Sequence, residues 1–133
     1  MGQKSIAGDL KSCLKKCRVD THTLTKFVVA GTFIFSKEFC AYEGHFPGKP
    51  ILPAIVQLAA ARFLAEKTLC VALVPVQMSR VKFKGMVLPG DEIEIQLSAT
   101  KDNCFWNGSF KLLKSSGEIL SSGQIRFTSN ENE

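Results

Sequence analysis

The 133-residue sequence has few of the features that mark several large protein classes. Nowhere do 18 apolar residues run without a charge, so no transmembrane helix is expected. The N-terminus carries no apolar stretch of secretory type, and Ile6 stands where a myristoylation signal wants Ser or Thr. Histidine is scarce: His22 and His45 are the only two. Cys13 and Cys17 lie four apart, but no second pair or nearby histidine completes a zinc set, and no metal is expected. The five cysteines (Cys13, Cys17, Cys40, Cys70, Cys104) are odd in number and scattered, which reads as reduced thiols in a cytoplasmic protein. Repeats, low-complexity blocks and RNA-binding or zinc-finger signatures are missing, and aromatics are not interleaved with basic residues. Nucleic acid is therefore not the expected partner.

What is there is a globular composition, 45% hydrophobic and 22% charged, long enough for one domain and too short for two typical ones. The single domain is expected over 1–133, with its core at about 14–128 and a frayed acidic tail at 129–133. Seventeen basic residues against twelve acidic give +5, and residues 1–26 alone carry +4 through Lys4, Lys11, Lys15, Lys16, Arg18 and Lys26 against Asp9 and Asp20. Such an excess suits an anionic partner or a solvated surface.

A helix is expected over 53–69. Pro53 suits its first turn, where the missing N–H costs nothing. Apolar residues from Ile55 to Leu69 leave almost no polar face before Arg62 and Glu66. A helix apolar nearly all round is a membrane span or is buried on most sides. At about 16 residues with internal charges it is too short to span, so a sheet should wrap it. Strands are expected at 14–19, 26–36, 76–84, 92–101, 105–114 and 119–128, with a short helix within 1–12. The turns Asp20–Thr23, Pro89-Gly90-Asp91, Asp102-Asn103 and Ser115-Ser116-Gly117 separate consecutive strands, so the class is α+β with a mostly antiparallel sheet.

Between the first strands and the helix lies Gly44-His45-Phe46-Pro47-Gly48-Lys49-Pro50-Ile51-Leu52-Pro53-Ala54. Three prolines and two glycines in residues 44–53 rule out regular structure. A rigid loop that delivers a histidine beside a helix N-terminus is a catalytic arrangement. The imidazole takes a proton near neutral pH, and unpaired N–H groups polarise a carbonyl oxygen. A lone loop histidine is also a common structural feature, and the residues alone leave both readings open.

This loop, the apolar helix after it and the later run Val81-Lys82-Phe83-Lys84-Gly85-Met86-Val87-Leu88-Pro89-Gly90-Asp91 resemble the β-hydroxyacyl-acyl-carrier-protein dehydratase family over about residues 14–128. The resemblance implies a hotdog fold, a curled antiparallel sheet wrapped around one long central helix. It implies a homodimer or higher homo-oligomer with acyl tunnels at the interface, and a place in fatty-acid or related acyl-chain biosynthesis. It implies no cofactor beyond the phosphopantetheine thioester that carries the substrate, presented by an acidic acyl-carrier protein or as acyl-coenzyme A. In such dehydratases the loop histidine removes the α-proton of a 3-hydroxyacyl thioester. A Glu or Asp on the partner's central helix assists departure of the hydroxyl as water, and the helix N-terminus steadies the carbonyl.

By motif position His45 is that histidine, and the Ala54 amide stands where a glycine amide usually serves. The helix acid should fall fourteen residues after the histidine, where this chain has Ala59. General acid–base participation is typically a factor of about 10²–10⁴, so its loss should impair dehydration unless another group substitutes. Glu43 beside the loop and Glu66 two turns on are the stand-in carboxylates, whereas Arg62 cannot act as an acid near neutral pH. Phe46, Gly48, Pro53, Gln57, Ala59 and Phe83 are the expected substrate-binding positions. Arg80, Lys82 and Lys84 alternate with Val81 and Phe83, so they share one strand face, either as carrier-docking groups or as an ordinary solvated surface. His22 is placed in a hairpin turn without a role, and Trp106 as strand packing. A dehydratase, a non-catalytic acyl-thioester or carrier-binding protein, and an acyl thioesterase all remain open on this fold.

Overall fold

A computed structural model describes residues 6–35 and 54–129. Along them run α1 (Ile6–Cys13), β1 (Leu14–His22), β2 (Lys26–Ile34), α2 (Ala54–Leu69), β3 (Leu73–Phe83), β4 (Glu92–Asp102), β5 (Phe105–Lys114) and β6 (Ile119–Ser129). The six strands form one sheet in the order β1-β2-β4-β5-β6-β3, and every neighbouring pair is antiparallel.

Alternating apolar residues set which face of the sheet is buried. Ile93, Ile95, Leu97 and Ala99 of β4 point inward, as do Trp106, Phe110 and Leu112 of β5 and Ile125 and Phe127 of β6. The α2 helix packs across this face against β2, β4 and also β3. Strands β2 and β3 stand four places apart in the sheet, roughly 19 Å at the usual strand spacing. One helix about 10 Å wide touches both only because the sheet curls around it. The architecture is the hotdog arrangement expected from the loop-and-helix resemblance.

Helix and sheet meet closely at Gly31 of β2. A methyl group there would lie 2.6 Å from Leu64 Cδ2 and 3.1 Å from Leu14 Cδ1, so glycine lets α2 seat against the strand. Leu64 is fully buried, which leaves its side chain little room to give way.

Boundaries differ from the sequence reading most clearly at β1, β3 and the N-terminal helix. Strand β1 extends to His22, because Thr23 N–H donates to Lys26 O and moves the hairpin turn to Thr23–Thr25. His22 therefore ends a strand instead of sitting in a turn. Strand β3 begins at Leu73 despite Pro75, since an edge strand tolerates proline, and the register slips between Pro75 and Gln77. The N-terminal helix spans Ile6–Cys13. Among the described residues no helix is long and apolar enough to cross a membrane.

Candidate functional site

The site is built where α2 begins. Val56, Ala60, Ala61, Leu64 and Ala65 recur at helical spacing and are buried against the sheet. Such burial fixes the helix axis and, with it, the N–H groups at Ala54. No acidic side chain lies in the first turn to neutralise them.

Gln57 is on the buried side as well, and its Oε1 accepts a hydrogen bond from Ser121 Oγ at 3.1 Å. Ser121 is fully buried on β6 and stands opposite Phe83 of β3 in the strand register. Three residues far apart in sequence thus converge beside the helix start. Gln57 is one of the expected substrate-binding positions, and its amide oxygen is engaged in joining α2 to the sheet. Phe83 is about half exposed at 46%, an apolar surface at the end of β3.

A second strip of α2 packs less tightly on the sheet and leaves a gap against β3 and β6. Ile55, Leu58, Ala59 and Arg62 line a largely apolar cavity of about 150 Å³ together with Pro75 and Met78 of β3. Ala59 therefore sits in a cavity wall, half-buried, with a methyl group where the resemblance implies a carboxylate. Among the described residues, the wrapping expected for α2 is close on one side and leaves this cavity on the other.

Of the two carboxylates considered as stand-ins, Glu66 is committed elsewhere. Its Oε2 accepts from Leu73 N–H at 2.8 Å and from Arg62 Nε at 3.3 Å. It ties the end of α2 to the start of β3, and its charge is held by the Arg62 guanidinium. Glu43 lies outside the described residues, as do His45, Phe46, Gly48 and Pro53.

The basic residues of β3 behave less simply than alternation suggests. Between Ser79 and Lys82 the register with β6 slips, and Arg80 takes a left-handed φ of 53°. This bulge resets the phase of the strand. Gln77 and Ser79 face away from α2, and Lys82 pairs with Ser122, whereas Val81 packs against the core. Arg80 lines a cleft on the outer face of the sheet. Sequence reading grouped Arg80 with Lys82, but not the bulge; an arginine carries no signal of a left-handed backbone. Ser121 was missed too, because a serine in Leu120-Ser121-Ser122-Gly123 looks like any other until Gln57 is opposite it.

Comparison with known proteins sharpens the picture. A sequence model described as ApeI-like, ApeI dehydratase, matches residues 21–124. The 3-hydroxyacyl-acyl-carrier-protein dehydratase FabZ of Acetivibrio thermocellus is 28% identical over 97 residues, covering 65% of this chain and 64% of the relative. Its namesake from Haemophilus influenzae is 36% identical over 69 residues, covering 46% and 47%. The chain thus spans less than two thirds of the length of these relatives. Among solved structures, an uncharacterized protein from Erwinia carotovora superposes with a TM-score of 0.73 at 22% identity, covering 89% of this chain and 96% of that one. The dehydratase heterocomplex ApeI:P of Xenorhabdus doucetiae gives 0.59 at 19%, covering 86% and 99%. The thioesterase-like yhdA of Lactococcus lactis gives 0.70 at 10%, covering 92% and 96%. At these identities the structural likenesses establish the fold.

Proposed function

The chain belongs to the ApeI-like dehydratase family, and from that premise we propose that it acts on a 3-hydroxyacyl thioester in fatty-acid or related acyl-chain biosynthesis. The observation that carries this reading is the family match over residues 21–124, which contains the whole His45 loop, the start of α2 and position 59.

In this reading His45 takes the proton from C2, the C3–O bond breaks, and the hydroxyl leaves as water once it has gained a proton. The thioester carbonyl is polarised by the N–H of Ala54 at the start of α2. Dehydration releases from C2 as many protons as the departing hydroxyl takes up. One imidazole that returns its proton to that hydroxyl therefore closes the balance, with Glu43 as an auxiliary acid. Ala59 adds nothing to this step, so turnover is slow by the roughly 10²–10⁴-fold that a general acid contributes.

A second subunit belongs to this reading. Strand β3 is an edge with Val74, Val76 and Met78 exposed, and the open strip of α2 lies beside it. We assign this surface to a dimer contact. A homodimer leaves Ala59 at both sites, whereas the Xenorhabdus doucetiae neighbour is a heterocomplex. Pairing with a family member that bears a helix carboxylate would restore the acid at one site. The acidic carrier protein is assigned to Lys82 and Lys84, which flank Phe83. Exposed thiols at Cys17, Cys70 and Cys104 suit a cytoplasmic location.

The test is to incubate the purified protein with 3-hydroxyacyl- and 2-enoyl-carrier-protein thioesters, following hydration, dehydration and thiol release. His45-dependent interconversion of the two thioesters is expected. Tight binding without turnover would leave a carrier- or acyl-binding protein, and release of thiol would make it a thioesterase.

A further inference from the structure

The sheet's outer face, turned away from α2, is lined by hydroxyls and amides in register. Ser98, Ser109, Gln124 and Ser79 stand opposite one another across β4, β5, β6 and β3, and Gln96, Lys111, Ser122 and Lys82 form the next row. A cleft of about 450 Å³ opens along these rows, within the range of small-molecule sites. Among the described residues two cations line it, Arg80 and Lys111, and no carboxylate does. Ser79 Oγ donates to Gln124 Oε1 at 3.2 Å, and Gln124, whose amide group is a donor, lines the cleft. An adjoining hollow of about 260 Å³ shares Ser109 and Gln124 and adds Arg126, whose Nε is buried without a hydrogen-bond partner.

The backbone at Arg80 strengthens the case. Among the described residues three non-glycines have left-handed φ values, Cys70, Arg80 and Asn103. Cys70 ends α2 and Asn103 makes the β4–β5 turn, both ordinary places for that conformation. Arg80 adopts it inside a strand, where any side chain with a Cβ is disfavoured relative to glycine. The bulge itself is needed to seat Val81 over Gly123, where a Cβ would come within 2.9 Å of Val81 Cγ2 and of Phe110. Glycine at position 80 would serve that purpose more cheaply. What the arginine adds is a cationic side chain at a residue that lines the outer cleft.

We propose that this cleft is a phosphate-ester site, on the opposite side of the sheet from α2, that takes a small phosphorylated polyol. Arg80 and Lys111 bind the phosphate, with the guanidinium supplying paired donors. Ser98, Ser109, Ser122 and the Gln124 amide bind the hydroxyls. The site stands independently of the thioester chemistry, and its test uses no turnover.

Calorimetric titration of the full chain at low salt, with glucose 6-phosphate, inorganic phosphate, glucose and 4′-phosphopantetheine, tests it. Saturable binding of glucose 6-phosphate is expected, at least about tenfold tighter than inorganic phosphate, with none for glucose. Arg80→Gly should weaken it by about tenfold or more while leaving Tm unchanged or raised, because glycine suits the left-handed φ. Lys111→Gln, a change on an exposed strand position, should weaken it to a similar degree. No saturable binding, or binding that both variants leave intact, would overturn the site. Tighter binding of phosphopantetheine than of glucose 6-phosphate would overturn the polyol assignment and give the cleft to the carrier arm.

Discussion

At one edge of the sheet, β1 turns Lys15, Lys16, Arg18 and Asp20 to solvent, and Arg18 Nε holds Asp20 Oδ1 at 2.8 Å. At the other edge, β3 exposes Val74, Val76 and Met78, the last two 47% and 50% accessible. Among the described residues neither strand has a further strand on its outer side. Charges along such an edge discourage strand addition, and apolar side chains invite it. The β3 edge also continues into the less tightly packed strip of α2, where Ile55 is 71% exposed and Ala59 lines the cavity. The difference teaches that, among the described residues, the larger share of exposed apolar surface lies on the side of α2 that carries Ala59, although β1 also exposes Val19.

The comparison breaks most plainly if β3 is made to look like β1. Val76→Lys with Met78→Lys is expected to weaken self-association by about 100-fold or more, since central apolar anchors dominate such contacts. Analytical ultracentrifugation across a dilution series reads this out, and an unchanged dissociation constant would remove β3 from the interface. On the covered side of α2, Gly31→Ala forces a methyl group to within 2.6 Å of Leu64 Cδ2. An overpacking cost of about 1–3 kcal/mol should appear in urea denaturation.

Ser121→Ala sharpens the contrast between the two strips of the helix by removing one hydrogen bond from the covered one. It withdraws a donor from buried Gln57, with an expected loss of about 1–2 kcal/mol. Ile55→Ser, on the open strip, should leave the isolated chain's stability within about 0.5 kcal/mol and weaken only self-association. The smallest effect belongs to the charged edge. Lys16→Ser on β1 should shift neither stability nor association, by thermal melting and ultracentrifugation.

Much of this was legible in the sequence because periodicity reports burial. The alternation of Ile93, Ile95, Leu97 and Ala99 announces a half-buried strand, and the nearly all-apolar 54–69 segment announces a helix that something must cover. The loop motif led to the fold family directly. Features that depend on two distant residues meeting were not legible. Neither the Gln57–Ser121 hydrogen bond nor Glu66 closing onto the Leu73 N–H has a local signature. Nor does the bulge at Arg80, because the residue type usual at such a backbone is glycine. Composition likewise placed the basic excess at residues 1–26, while the cations that line the outer cleft are Arg80 and Lys111.

The central claim is that this chain keeps the dehydratase base on its loop and lacks the acid at position 59. The most direct measurement is the rate of interconversion of 3-hydroxyacyl- and 2-enoyl-carrier-protein thioesters by the wild type, Ala59→Glu and the double variant Ala59→Glu/His45→Ala. The account predicts a rise of about 10²–10⁴-fold for Ala59→Glu, lost again when His45 is removed. A rate indifferent to Ala59→Glu, or one that survives the loss of His45, would contradict it.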